Sequence, residues 1–331
     1  MKEDLASVRS GPGRVRIWIG DRWEGFVYGD RAWPRWLLLG LLLLLLLYYP
    51  LGMAWYSRID DDAEFQPPAA YAVEGGSRAV ATAAALVARE ADRWAPNKPF
   101  WHPAYLLDNM PNYQLGLLYA VSRFTIEMGD QLGRTRGSSA IDPDLDRAAG
   151  LLKYDGRIWY WGQGNVVPTA PADDQYRKAV LALLSYNLRL SRGQATYDRR
   201  ADNLIVLLER IAADLGSASA ALEQRALESN AGWFDMRADD LFYNIKGRLY
   251  GYYMLLRDVG QDFERVLAEK QAGTIWRQML DSLRVAVEMD PLIVANGPQD
   301  SLAVPSHLAS QGFYLLRART QLREAADTLL R

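Results

Sequence analysis

An uncharged run from Trp36 to Tyr56, bracketed by Arg35 and Arg58, constrains this chain more than any other feature. At about 1.5 Å of rise per helical residue it reaches roughly 30 Å, the thickness of a bilayer's hydrocarbon core. It predicts one membrane-spanning helix over residues 35–56, with the lipid bilayer as its partner. Trp33, Trp36, Tyr48, Tyr49, Trp55 and Tyr56 crowd its two ends, as amphipathic rings do at headgroup depth. A cleaved signal peptide is the competing reading, but the apolar core starts late, exceeds an h-region in length and is followed by no A-x-A-like site. Pro34 suits the first helical turn, whereas Pro50 is expected to kink or finish the helix.

Charge sets the orientation. Residues 1–34 carry Lys2, Arg9, Arg14, Arg16, Arg22 and Arg31, while "SRIDDDAEF" after the span holds one arginine against Asp60, Asp61, Asp62 and Glu64. The basic side stays in the cytoplasm, so residues 57–331 are expected outside, in the periplasm of a Gram-negative cell. Alternation in "RVRIWIGDRW" is compatible with a small hairpin or with a patch lying on anionic lipid. The whole chain has 331 residues, a net charge near −2 and no cysteine. Disulfides and thiol chemistry are excluded, and no basic stripe offers itself to nucleic acid.

The segment 57–76, rich in acid, proline and glycine, reads as a linker ahead of a folded domain at 77–331. Helical periodicity dominates that domain. A helix should open at Ser77 and stop before Pro96. Others should run from about Pro111 to Leu132, from Asp142–Pro143 to about Lys153, over 172–192 and over 273–290. Tyr197, Ala201, Leu204, Leu208, Ile211, Leu215, Ala218 and Leu222 form one helical stripe, and Ile245, Leu249, Tyr252, Leu256, Val259, Phe263 and Val266 another. Leu308, Leu315, Leu322 and Leu329 recur every seven residues, a seam that packs inside the bundle or against a second copy or partner. The predicted fold class is therefore all-α, one N-terminal transmembrane helix followed by a periplasmic helical bundle of seven or eight helices, with "GRIWYWG" the sole candidate for strand pairing.

Residues able to carry chemistry are sparse. His102 and His307 are the two histidines. Without a motif such as H-E-x-x-H to join them to Asp108 or Asp300, they are expected to satisfy loop backbone or helix ends, so no metal and no cofactor is predicted. Paired acids at helix starts, such as Asp173–Asp174 and Asp239–Asp240, read as caps. Glu90 with Asp92, or Glu127, supplies the carboxylates that glycoside hydrolysis would need, at a separation that sequence does not fix. "GQGNVV" at 162–167 reads as a turn, since it lacks the third glycine of a phosphate loop, and no serine occupies a nucleophile elbow.

Two stretches combine rings with polar groups, "PFWHPAYLLDNMPNYQLG" and "GWFDMRADDLFYNIKGRLYGYYMLLRD". With the C-terminal seam they nominate a candidate interaction surface at Trp101, His102, Asp108, Tyr243, Arg248, Tyr250, Leu315 and Leu322. Gly247 and Gly251 at i and i+4 invite close approach of another backbone. "WHPAYLLDNMPNYQLG", "ADDLFYNIKGRLYGYY" and "VPSHLASQGFYLLRARTQLRE", behind one span near residue 40, resemble the proteobacterial family known as domain of unknown function 2333. The resemblance implies a Gram-negative inner-membrane protein with a periplasmic helical domain, and it brings no site residue. A tether, long apolar seams and no assembled reactive group lead to the expectation of a non-enzymatic scaffold. Such a scaffold is an accessory or assembly subunit of an envelope or inner-membrane complex, with a membrane or periplasmic protein partner or a second copy. The alternative is an envelope hydrolase acting on glycan or lipid through carboxylates.

Overall fold

The computed structural model describes residues 33–133, 141–161, 167–228, 235–298 and 304–331. The hairpin or patch expected in residues 1–32, most of the "GQGNVV" turn and Asp300 lie outside them. The chain divides into two compact units, Met1–Ala54 and Trp55–Arg331.

In the first unit the described residues belong to α1 (Trp33–Tyr56), of whose residues none is buried. It is the one described helix long and apolar enough to cross a membrane. Pro50 does not end it. A proline removes one N–H and its bond to the preceding turn, and the bonds on either side carry the helix on to Tyr56.

The second unit is all-α. It contains α2 (Arg78–Asp92), a 3₁₀ turn (Pro103–Leu106), α3 (Asn109–Glu127) with a π turn (Met128–Leu132), α4 (Pro143–Leu152), α5 (Ala172–Ser191), α6 (Ala201–Glu228), α7 (Met236–Asp262), α8 (Glu264–Glu269), α9 (Gly273–Val287) and α10 (His307–Leu330). Among the described residues there is no strand, only an isolated bridge between Asn296 and Ser306. Of "GRIWYWG" the described residues 156–161 are irregular, the carbonyls of Ile158 and Tyr160 accepting from Ala172 and Thr169. Among the described residues nine helices follow α1, slightly more than the expected seven or eight, because the stripe expected to run on to Val266 breaks at Phe263 and leaves α8 as a separate turn.

The starts follow from capping. Ser77 accepts from Val80 N–H at the head of α2, Asp142 from Asp144 N–H ahead of Pro143, and Ser306 from Ala309 N–H at α10. Asp262, at the far end of α7, adds a tertiary cap by accepting from the N–H groups of Arg78 (2.9 Å) and Ala79 (3.2 Å).

α7 sits at the centre, contacting α2, α3, α6, α9 and α10, while α5 packs on α2 and α4, and α10 on α6 and α9. Its partnership with α3 rests on missing side chains. A Cβ at Gly247 would stand 2.0 Å from the Tyr113 carbonyl oxygen, and one at Gly116 would stand 1.9 Å from that of Asn244. Residue numbers rise together along this contact, so the two helices run in the same sense. Gly247 and Gly251 therefore serve the approach of a helix of the same chain. The C-terminal seam is likewise internal: Leu308, Leu315, Leu322 and Leu329 are each at most 1% exposed.

Candidate interaction surface

The segment expected to be a free linker is held on the bundle. Between Asp60 and Ala63 it lies across α2, α3 and α7, offering main-chain carbonyls to their side chains. Asp60 O accepts from Tyr113 Oη (3.0 Å) and Arg89 Nη2 (2.8 Å), Asp62 O from Tyr250 Oη (3.0 Å), and Ala63 O from Arg257 Nη1 (3.1 Å). The Arg89 guanidinium stacks between the rings of Phe65 (4.9 Å) and Tyr250 (5.3 Å). Asp61 pairs at 2.7 Å with Lys246, which is 1% exposed and donates to the Met289 carbonyl at 2.8 Å. Burial pushes the Tyr250 hydroxyl up to about 12 against the opposing pull of Arg89. Much of what binds is backbone, which hydropathy and composition do not register, and the Asp61 carboxylate and the Phe65 ring add to it.

Beside this strap, Ser57, Asp61, Asp108, Asn109, Tyr243 and Asp290 line a small notch of about 260 Å³. Asp108 caps α3, accepting from Asn109 N–H at 2.9 Å. Asn112 donates to Asp240 at 2.7 Å. Burial and the neighbouring carboxylates of Asp108 and Asp240 push Asp239 up to about 6, well above the usual carboxylate range. Among the described residues no group of three or more His, Asp or Glu could hold a metal ion.

The acids expected to serve hydrolysis are placed otherwise. Glu90 is buried, accepting from Gln114 Nε2 (3.1 Å) and Arg89 Nε (2.9 Å), with burial raising its pKa against both donors. Asp92 points to solvent, and Glu127 pairs with Arg123 and Arg210. Both histidines answer backbone: His102 Nδ1 accepts from Ala104 N–H (3.1 Å) and His307 Nδ1 from Ala295 N–H (2.9 Å). Burial holds both imidazoles below their usual pKa, with Lys98 adding to the effect at His102.

The eight nominated surface residues divide. Trp101 and Asp108 are exposed and His102 is half-buried. Arg248 is half-buried, its guanidinium 4.1 Å from the Tyr119 ring and its Nε donating to Asn244 Oδ1. Tyr119 and Tyr252 both donate to the buried Asp214, at 2.6 and 2.8 Å. Tyr243, Tyr250, Leu315 and Leu322 are buried and must be withdrawn from any surface, because α3, α6 and α9 already cover the faces of α7 and α10 that carry them.

Of two exposed apolar features, one went unnominated and the other was nominated only at Trp101 and His102. Between α6 and α10 a cleft of about 560 Å³ has a mixed lining, Leu222, Phe313 and Leu316 beside Glu223, Ser306 and Ser310, with Phe313 62% and Leu316 47% exposed. Phe313 and Leu316 lie off the seven-residue seam, and an off-seam pair at i, i+3 was the signal that could have found it. The second feature is a face of rings from the loops at 100–106 and 159–161.

No curated protein and no solved structure matches the chain. The family model described as "Uncharacterized protein conserved in bacteria (DUF2333)" matches residues 36–231 and 220–303, most of the length, and the chain belongs to that family.

Proposed function

We propose that this is a single-pass inner-membrane protein whose helical domain stands on the periplasmic side and binds another protein without catalysis, as an accessory or assembly subunit of an envelope complex. The observation that carries the reading is the α6/α10 cleft. Phe313 and Leu316, left open on α10 beside the groove, suit an amphipathic helix laid into it, in which anchors spaced by three or four residues take the place of solvent. The basic residues before α1 and the acidic residues after it support the orientation. The test is purification of tagged protein from its native membrane in mild detergent, with F313D and L316D beside the parent. Loss of a stoichiometric membrane or envelope partner, with the helical signal retained, is the expected result. An unchanged set of co-eluting proteins, or a lone monomer throughout, would sink the reading.

A second reading, an envelope hydrolase acting on glycan or lipid, has one observation in its favour. Asp239 holds its proton near pH 6 beside Asp108 and Asp240, as a general acid must. Release of soluble fragments from cell-wall glycan by the parent and not by D239N would favour it.

A further inference from the structure

Exposed rings from two distant loops form one platform. Phe100 and Trp101 meet edge-on at 4.9 Å, Trp101 meets Trp159 at 5.3 Å, and Trp159 meets Tyr160 at 5.9 Å. Phe100, Trp101, Tyr105, Tyr160 and Trp161 are between 45% and 67% exposed. The platform is braced from beneath. Trp94, 1% exposed, donates its indole N–H to the Gly156 carbonyl at 2.8 Å, and Asn97 donates to the Ile158 carbonyl at 3.1 Å. A side chain at Gly156 would collide with the Trp94 ring at 2.7 Å, so the glycine permits this clasp. Rigid backbone below and large rings held out to solvent are the reverse of ordinary burial, and they mark a surface made to be covered.

The chain itself indicates what covers it. Trp55 and Tyr56 belong to the same compact unit as the platform. The Arg93 guanidinium lies 5.1 Å from the Trp55 ring, and Tyr56 packs edge-on against His102 at 4.8 Å, next to Trp101. These two residues are the last of the apolar run, so if that run spans a bilayer, covalent continuity puts them at its surface and the platform within a few side chains of it. Tryptophan and tyrosine are the residues that settle at headgroup depth. Of the cations nearest the face, Lys98, which acts on His102, pairs with Asp173, and Arg93 lies over the Trp55 ring, which points to the rings rather than to a basic patch as the source of attachment.

We propose that the ring platform rests in the headgroup layer of the bilayer that α1 spans, so that the domain is seated on the membrane by a second contact. This rests on the anchoring reading above. The absence of cysteine lets single labels be introduced cleanly. Full-length protein carrying Trp101→Cys or Tyr160→Cys, each labelled with an environment-sensitive fluorophore, is reconstituted in vesicles of phosphatidylethanolamine and phosphatidylglycerol. Nitroxide lipids labelled at the headgroup or deep in the acyl chain are the quenchers. Leu42→Cys reports the span, and Leu227→Cys and Leu330→Cys report exposed apolar positions away from the platform.

Headgroup nitroxide is expected to quench positions 101 and 160 severalfold more than 227 and 330, with little dependence on the anionic fraction. Equal quenching at all four, with Leu42→Cys quenched from the acyl chains, would overturn the platform's docking and leave the anchor standing. Failure at Leu42→Cys would overturn the anchor instead. Shielding of the platform labels only on addition of soluble cell-wall glycan would reassign the face to a sugar ligand and overturn the proposal.

Discussion

A methyl group added at Gly247 tests the contact between α3 and α7. It would stand 2.0 Å from the Tyr113 carbonyl oxygen and 2.9 Å from Leu117 N, both main-chain atoms that no rotamer change can move. The helices must separate, loosening the packing around the buried Tyr113, Leu117 and Tyr250. Overpacking of this kind costs about 3 kcal/mol, the upper part of the usual range, because the clash is with backbone. Alanine returns about 1 kcal/mol of helix propensity, so the net loss is about 2 kcal/mol. At roughly 2–4 °C per kcal/mol for a domain of this size, the expected fall in Tm is about 4–8 °C. Gly150 in α4 supplies the opposite sign: nothing lies within 4 Å of its added Cβ, and G150A should stabilise by about 0.5–1 kcal/mol. Thermal unfolding of the full chain in detergent, followed by circular dichroism, measures both. A G247A variant as stable as its parent would refute the reasoning, since the two helices would then not meet at these glycines.

Replacing Lys246 by methionine strips Asp61 and the Met289 carbonyl of their partner and should destabilise by about 3 kcal/mol, with hydrogen exchange accelerated first in residues 57–66. Asp239 titrates near 6 when folded against roughly 3.9 unfolded, so the folded state binds its proton more tightly and stability falls as pH rises from about 4 to about 6. D239N should flatten that fall, worth about 1 kcal/mol after allowance for solvent, as read by urea unfolding across the same pH window. Removing one of the two hydroxyls on Asp214 with Y252F should cost about 1.5–3 kcal/mol in the same assay, and an unchanged midpoint would mean Tyr119 alone satisfies the carboxylate.

What could be read from the sequence is what depends on local chemistry. Ser77, Asp142 with Pro143, and the three-and-four spacing from Leu204 to Leu222 put helix starts and buried stripes close to where they stand. The apolar seam at Leu315 and Leu322 was visible, but the partner that covers it was not. A repeat tells which face is apolar, and only the fold tells whether α6 already occupies it. Tyr250 was misjudged as surface for a similar reason, since a ring with a hydroxyl suits either an interface or a core with one carbonyl, here that of Asp62, to receive it. The strap was hidden because carbonyl groups are present at every residue. The ring platform depends on two loops far apart in sequence meeting at Trp101 and Trp159, a distance that no local pattern encodes.

The strap also takes away the freedom that a loose segment of this length would have. Twenty free residues would let it wander over roughly 25 Å and search for partners through a deep shell of space. Fastened at Asp60, Asp61, Asp62 and Ala63, the segment has little slack to give. A pull on the chain at Asp60 and Asp61 would pass through Arg89 and Lys246 straight into the centre of the bundle instead of being absorbed by loose chain.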